Sequence, residues 1–96
     1  MACHVYIMTC RSHTALYIGV TDALRRDVAK HRAGTGCAHT RRYNITKLVY
    51  VEPHDTWHAA EHRAGQLKRW RRAWKTALIT KNNPAWMDLS MGACLG

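Results

Sequence analysis

Apolar positions open the chain in two short runs, Val5 to Met8 and Ala15 to Val20, separated by the polar stretch Cys10 to Thr14. Runs of β-branched and aromatic residues bounded by turn formers predict strands, here over residues 4–9 and 15–20, joined as a hairpin. Gly19 sits inside the second run, where a glycine weakens pairing unless another group must come close. Beyond it the period lengthens. Leu24, Val28 and His31 recur at helical spacing, Thr21 and Asp22 offer an N-cap, and Gly34 offers a stop, which predicts a helix near 22–33. A third apolar run, Lys47 to Val51, predicts a strand over 46–52 that ends before Pro53, because proline cannot continue a ladder. Asp55 then stands as an N-cap, with Ala59, Ala60, Leu67, Trp70 and Trp74 as the candidate buried side. Gly65 and the uneven spacing of the tryptophans favour two helices, near 56–69 and 71–81, over one rod. The expected fold class is therefore α+β: a small, mainly antiparallel three-stranded sheet flanked by three helices. It occupies a single domain with its core at about 4–89 and a frayed tail at 90–96.

Charge narrows the partners. Fifteen Lys and Arg oppose six Asp and Glu among 96 residues, a net charge of +9 with the seven histidines neutral. Such a surface favours polyanions, nucleic acid first. A membrane partner is not expected, since no apolar run reaches spanning length and no signal-peptide pattern follows Met1. Cys3, Cys10, Cys37 and Cys94 form no C-x-x-C pair, so free thiols in a reducing cytoplasm are expected in place of a zinc site. The glycine-rich stretch 34–43 reads as a mobile loop whose Thr40, Arg41, Arg42 and Tyr43 are placed to hold phosphate oxygens. Arg25, Arg26 and Lys68 join them as candidate nucleic-acid contacts. Trp70, Trp74 and Trp86 are expected in the core, with Trp57, at a helix start, left open for stacking on an unpaired base.

Val5, Tyr6 and Ile7, then nine residues, then Tyr17, Ile18 and Gly19, then a helix carrying His31 fourteen residues past Tyr17, resemble the signature of the GIY-YIG nuclease superfamily. The first triplet is degenerate, keeping only its tyrosine. Further matches lie at Thr40 to Asn44, Leu48 to Tyr50, Gln66 to Trp70 and Asn83 to Trp86, so the resemblance to small single-domain members spans roughly residues 4–89.

The resemblance implies a metal-dependent DNA endonuclease that hydrolyses phosphodiesters; single strands or junctions, whose bases are accessible, are the expected substrates. In-line cleavage needs an activated water, a proton acceptor, positive charge on the phosphoryl oxygens and help for the leaving alkoxide. Carried over residue by residue, Tyr17 stands beside the water as base or relay and Tyr6 positions phosphate or water. His31 bonds near the scissile group, and Asn83 supports the site through its amide. Two positions depart from the family. The arginine expected four residues before His31 is Asp27, and the glutamate expected just after Arg63 is Ala64, whose methyl cannot ligate magnesium. Magnesium or manganese would serve an active form, but this chain is expected not to hold it and to cleave poorly or not at all. Three accounts are open: a substitution made to trap a bound substrate, natural loss of catalysis, or, least favoured, relocation of the carboxylate to Glu61 three residues earlier. The rival reading is a non-catalytic nucleic-acid-binding protein derived from the nuclease fold.

Overall fold

In the computed structural model, which describes residues 2–90, the first two apolar runs become β1 (Cys3–Thr9) and β2 (Leu16–Thr21), and the third becomes β3 (Lys47–His54). β1 pairs antiparallel with both, giving the order β2-β1-β3. The central strand is the most apolar for a physical reason: both of its edges are paired and both of its faces are covered. Val5, Ile7 and Met8 are fully buried, each contributing about 1.5–3 kcal/mol of burial. Opposite the step from Ile7 to Met8, β3 carries Val49 as an extra residue, a bulge that leaves Tyr50 facing Ile7 and Leu48 facing Met8.

The helices are α1 (Leu24–Arg32), α2 (Ala38–Arg42), α3 (Trp57–Arg69) and α4 (Arg72–Asn82). Successive strand side chains point to opposite faces, and the two faces carry different helices. Val5, Ile7 and Ile18 lie against Ala60, Ala64 and Leu67 of α3 and Ile79 of α4. Tyr6 and Met8 lie with Val28 of α1 and with Ile45 and Leu48. Among the described residues no helix is long and apolar enough to cross a membrane.

Several boundaries move from their expected places. β3 runs through Pro53 to His54, because an edge strand can turn its missing N–H away from its single neighbour. Stretch 34–43 is not a loop throughout; Cys37 leads into the one-turn helix α2. Asp22 does not cap α1, and Asp55 does not cap α3. Thr21 accepts from the amide of Ala23 at 2.9 Å, and Thr56 caps α3 through the amide of Ala59 at 3.1 Å. Gly34 takes the expected positive φ of 78° just past α1. The corner between α3 and α4 falls at Trp70 and Arg71, both extended. Trp86 is buried and Trp70 partly so, but Trp74 is 54% exposed, and Ala59 also faces water. Cys94 and nearly all of the tail lie outside the described residues.

Candidate active-site cleft

The register of the hairpin places Tyr6 opposite Gly19 and Tyr17 opposite Met8, so the two tyrosines are diagonal neighbours on one face. Their ring centroids are 6.1 Å apart. A Cβ at position 19 would collide with the ring of Tyr6, which accounts for a glycine within a strand. On α1, Val28 and His31 fall on the buried stripe, and the same stripe that packs Val28 into the core delivers the imidazole to the phenols. The His31 ring lies 5.0 Å from that of Tyr17 and 6.0 Å from that of Tyr6.

Hydrogen bonds fix the direction of a chain through the imidazole. The hydroxyl of Thr40 donates to the carbonyl of Cys37 at 3.0 Å, so its oxygen is left to accept from His31 Nδ1, 2.9 Å away. The neutral tautomer assigned by that network leaves Nε2 to accept from the hydroxyl of Tyr6, at 3.0 Å. Burial holds the His31 imidazole below the ordinary histidine range, outweighing the opposing pull of Asp27, which keeps it neutral. The phenols are held up. Burial first, then the Tyr17 phenol and the Asp27 carboxylate, raise Tyr6 well above its usual value. Burial and the neighbouring Cys37 raise Tyr17. Cys37 itself sits below the usual thiol value: burial pushes it up, but hydrogen bonds, those from Thr40 foremost, pull it down further.

One pH dependence follows. His31 binds its proton less readily folded than unfolded, so its contribution to stability is fully present above about 6.5, the ordinary histidine value, and is lost as pH falls from there through the depressed folded value. Thermal midpoints measured from pH 8 down to pH 5 are expected to fall across this window. His31→Gln should flatten the slope, leaving the part due to His13, which burial and Lys47 also hold down, and to the Cys10 and Cys37 thiols, which burial pushes up but hydrogen bonds hold below their usual value. An unchanged slope in the variant would remove His31 from this role.

Tyr6, Tyr17, Asp27, Lys30, His31 and Cys37 line an open cleft of about 370 Å³. Asp27 accepts from the hydroxyl of Thr21 and from Nε of Arg26 at 3.3 Å. The expected trio of Tyr6, Tyr17 and His31 thus meets in one place, with Asp27 beside it. Other expected residues do not join them. Asn83 is buried with its amide bonded to the carbonyls of Val49 and Met87 and to the amide N–H of Met87, so it ties the chain after α4 to β3. Thr40 is 1% exposed; it orients His31 and is not free to hold phosphate. Arg41, Arg42 and Tyr43 are exposed on or just after α2, with the guanidinium of Arg42 over the Tyr43 ring at 5.4 Å. Arg25 and Arg26 are exposed on α1, where Arg26 also faces Asp22 at 3.8 Å, and Lys68 is exposed on α3.

Ala64 is 3% exposed and packs among Val5, Ile7, Ile18 and Leu67, on the sheet face away from the tyrosines. A longer side chain there would enter the core and not the cleft. Glu61 does not share its surroundings. Three residues is a turn of about 300°, and the remaining 60° carries position 61 out of the core and into water. Arg63 marks the flank of α3 toward β3, since it bonds Glu52 at 3.0 Å. By the same helical geometry Glu61 and Lys68 lie on the opposite flank, toward β2.

Four contributors went unrecognised in the sequence. Lys30 supplies a cation at the cleft, Thr21 holds Asp27, and Cys37 borders Tyr17. Gly36 lets the chain cross directly over His31, whose ring a Cβ there would strike. Only Gly36 left a signal, as the second glycine of a closely spaced pair.

For a divalent metal, the donors are hard oxygens. Among the described residues no three His, Cys, Asp or Glu gather as a closed site, and both nitrogens of His31 are engaged. Magnesium keeps waters and needs only one or two carboxylates alongside a substrate phosphate, and Asp27 places one carboxylate in the cleft lining.

Known proteins share the sequence pattern and the fold. The family model described as the GIY-YIG catalytic domain matches residues 2–77. A UPF0213 protein of Natronomonas pharaonis is 38% identical over 76 residues, covering 79% of this chain and 88% of the relative. Another, from Halobacterium salinarum, is 37% identical over 76 residues, 79% of this chain and 97% of its own length. The solution NMR structure of a UPF0213 protein from Bacillus halodurans superposes with a TM-score of 0.59 at 24% identity, over 97% of this chain and 98% of that one.

Proposed function

Because this chain belongs to the GIY-YIG family, whose members are endonucleases at the level of the family, we propose that it is a metal-dependent DNA endonuclease whose catalysis is weakened by Asp27. The observation that carries the reading is the convergence of Tyr6, Tyr17 and His31 on one cleft, joined by the 3.0 Å bond from the Tyr6 hydroxyl to Nε2 of His31. Tyr17, the less buried phenol, faces the attacking water. Tyr6 receives a proton from the cleft as it passes its own to the neutral imidazole, and Thr40 keeps that imidazole in the accepting tautomer. Lys30 supplies positive charge beside the phosphate. In a metal-bound form Glu61, exposed on the flank of α3 toward β2, would be the carboxylate to hold the metal jointly with the substrate phosphate. When bound, the metal supplies Lewis-acid charge against the phosphoryl oxygens. Single-stranded or branched DNA suits an open cleft.

A second reading, a nucleic-acid-binding protein without catalysis, draws on Asp27, whose carboxylate faces the cleft where phosphate would lie. Labelled single- and double-stranded DNA incubated with magnesium or manganese separates the two. Slow metal-dependent cleavage is expected, lost at least a hundredfold in Tyr17→Phe and in Glu61→Gln, in line with removal of a group acting in the transition state. DNA bound but left intact by the wild type, in either metal, would sink the nuclease reading and leave the binding module.

A further inference from the structure

From His62 to Met87 the chain holds no acidic residue and seven lysines and arginines. At the middle of this stretch, where α3 stops and α4 begins, two indoles meet edge to face, Trp70 and Trp74, with centroids 6.1 Å apart and planes at 83°. Trp70 is anchored, packing on the core beneath α3, while the guanidinium of Arg63 lies 5.2 Å from its ring centre and is itself held by Glu52. Trp74 is different. It stands one turn into α4, more than half exposed, with Arg71 at 5.7 Å from its ring centre. α3 and α4 cover the sheet face opposite the tyrosines, so this patch is not part of the cleft.

We propose that Trp74, backed by Trp70 and flanked by Arg71, is a stacking platform for an unpaired base of single-stranded DNA. An indole face open to water beside a guanidinium offers the two things a single strand presents together, a base plane and a phosphate. Duplex DNA hides its base planes within the stack, so it would meet only the cations. The choice of DNA over RNA rests on the endonuclease reading of the cleft, and an RNA strand of equal length tests it. The docking surface serves a nuclease and a pure binding protein equally, so it stands apart from the chemistry of the cleft.

The test is fluorescence anisotropy at low salt with a labelled oligo(dT) of about 15 nucleotides, a length that covers a small single-strand site. A duplex hairpin and an oligo(rU) of equal length serve as comparators. Trp74→Ala is expected to weaken oligo(dT) binding about tenfold, the loss of one stacked base, and hairpin binding less than twofold. Trp74→Phe should restore most of the affinity, and Arg71→Ala should weaken it a few-fold while making the salt dependence shallower. Trp57→Ala, which removes an equally exposed indole at the start of α3, should leave binding intact. Because Trp74 is exposed, its variants are expected to melt with the wild type. Oligo(dT) binding unchanged in Trp74→Ala, equal losses for hairpin and oligo(dT), or tighter binding of oligo(rU) would each overturn the proposal. The cleft is read by cleavage and the platform by oligo(dT) binding without metal, so failure of the one and failure of the other remain distinguishable.

Discussion

Ala64→Glu is expected to destabilise the protein by about 3–5 kcal/mol, the cost of an unpaired charge in an apolar interior, and to confer no cleavage. The methyl of Ala64 is packed against Val5, Ile7 and Leu67 with almost no surface left, so the added carboxylate must ionise without a partner, take up a proton or force α3 off the sheet. Domains of this size hold total stabilities toward the lower part of the 5–15 kcal/mol range, so a loss of that size removes much of the margin. Denaturant midpoints at pH 7 for wild type, Ala64→Glu and the volume control Ala64→Gln measure it, alongside cleavage with magnesium. A well-folded Ala64→Glu that gains metal-dependent cleavage would show that position 64 does reach the cleft, and Glu61 would lose its place as the metal-holding carboxylate.

Asp27→Arg is expected to raise cleavage about a hundredfold, the scale on which one well-placed charge acts on a developing anion. Two effects work in the same direction. The carboxylate that faces the cleft and holds both phenols up is removed, and a guanidinium enters to meet the phosphoryl oxygens. Losing the bond from Thr21 to Asp27 should lower stability by roughly 1–2 kcal/mol without unfolding the chain. Single-turnover rates with excess protein over labelled DNA report the gain, and Asp27→Asn, which removes the charge without adding one, should fall between wild type and Asp27→Arg. Equal rates in all three, with DNA still bound, would mean that charge at position 27 does not limit the reaction.

The strands were legible because their signal is local: the apolar runs Val5 to Met8 and Ala15 to Val20, bounded by turn formers, mark strands whatever the rest of the chain does. The trio of Tyr6, Tyr17 and His31 was legible through the family resemblance that their spacing carries, and the hairpin register with the buried stripe of α1 brings the three to one side. Position 64 misled because sequence spacing alone does not say which stripe of α3 faces the sheet. Ala60, Ala64 and Leu67 form that stripe, and small alanines mark close helix-to-sheet contact as readily as a lost carboxylate. Asn83 and Thr40 misled for another reason: a polar side chain reads as available until the backbone groups that claim it are known.

The residues themselves determined a hairpin with a glycine inside its second strand, a basic chain suited to a polyanion, and the spacing of two tyrosines and a histidine that carries the family resemblance. Tertiary structure alone decided which groups keep an atom free for chemistry. Only packing could show that Thr40 belongs to His31, that Ala64 lies under the sheet, and that Trp74, expected inside, faces water next to Arg71. Hydrogen-bond partners and burial arise between segments distant in the chain, and no local periodicity encodes them.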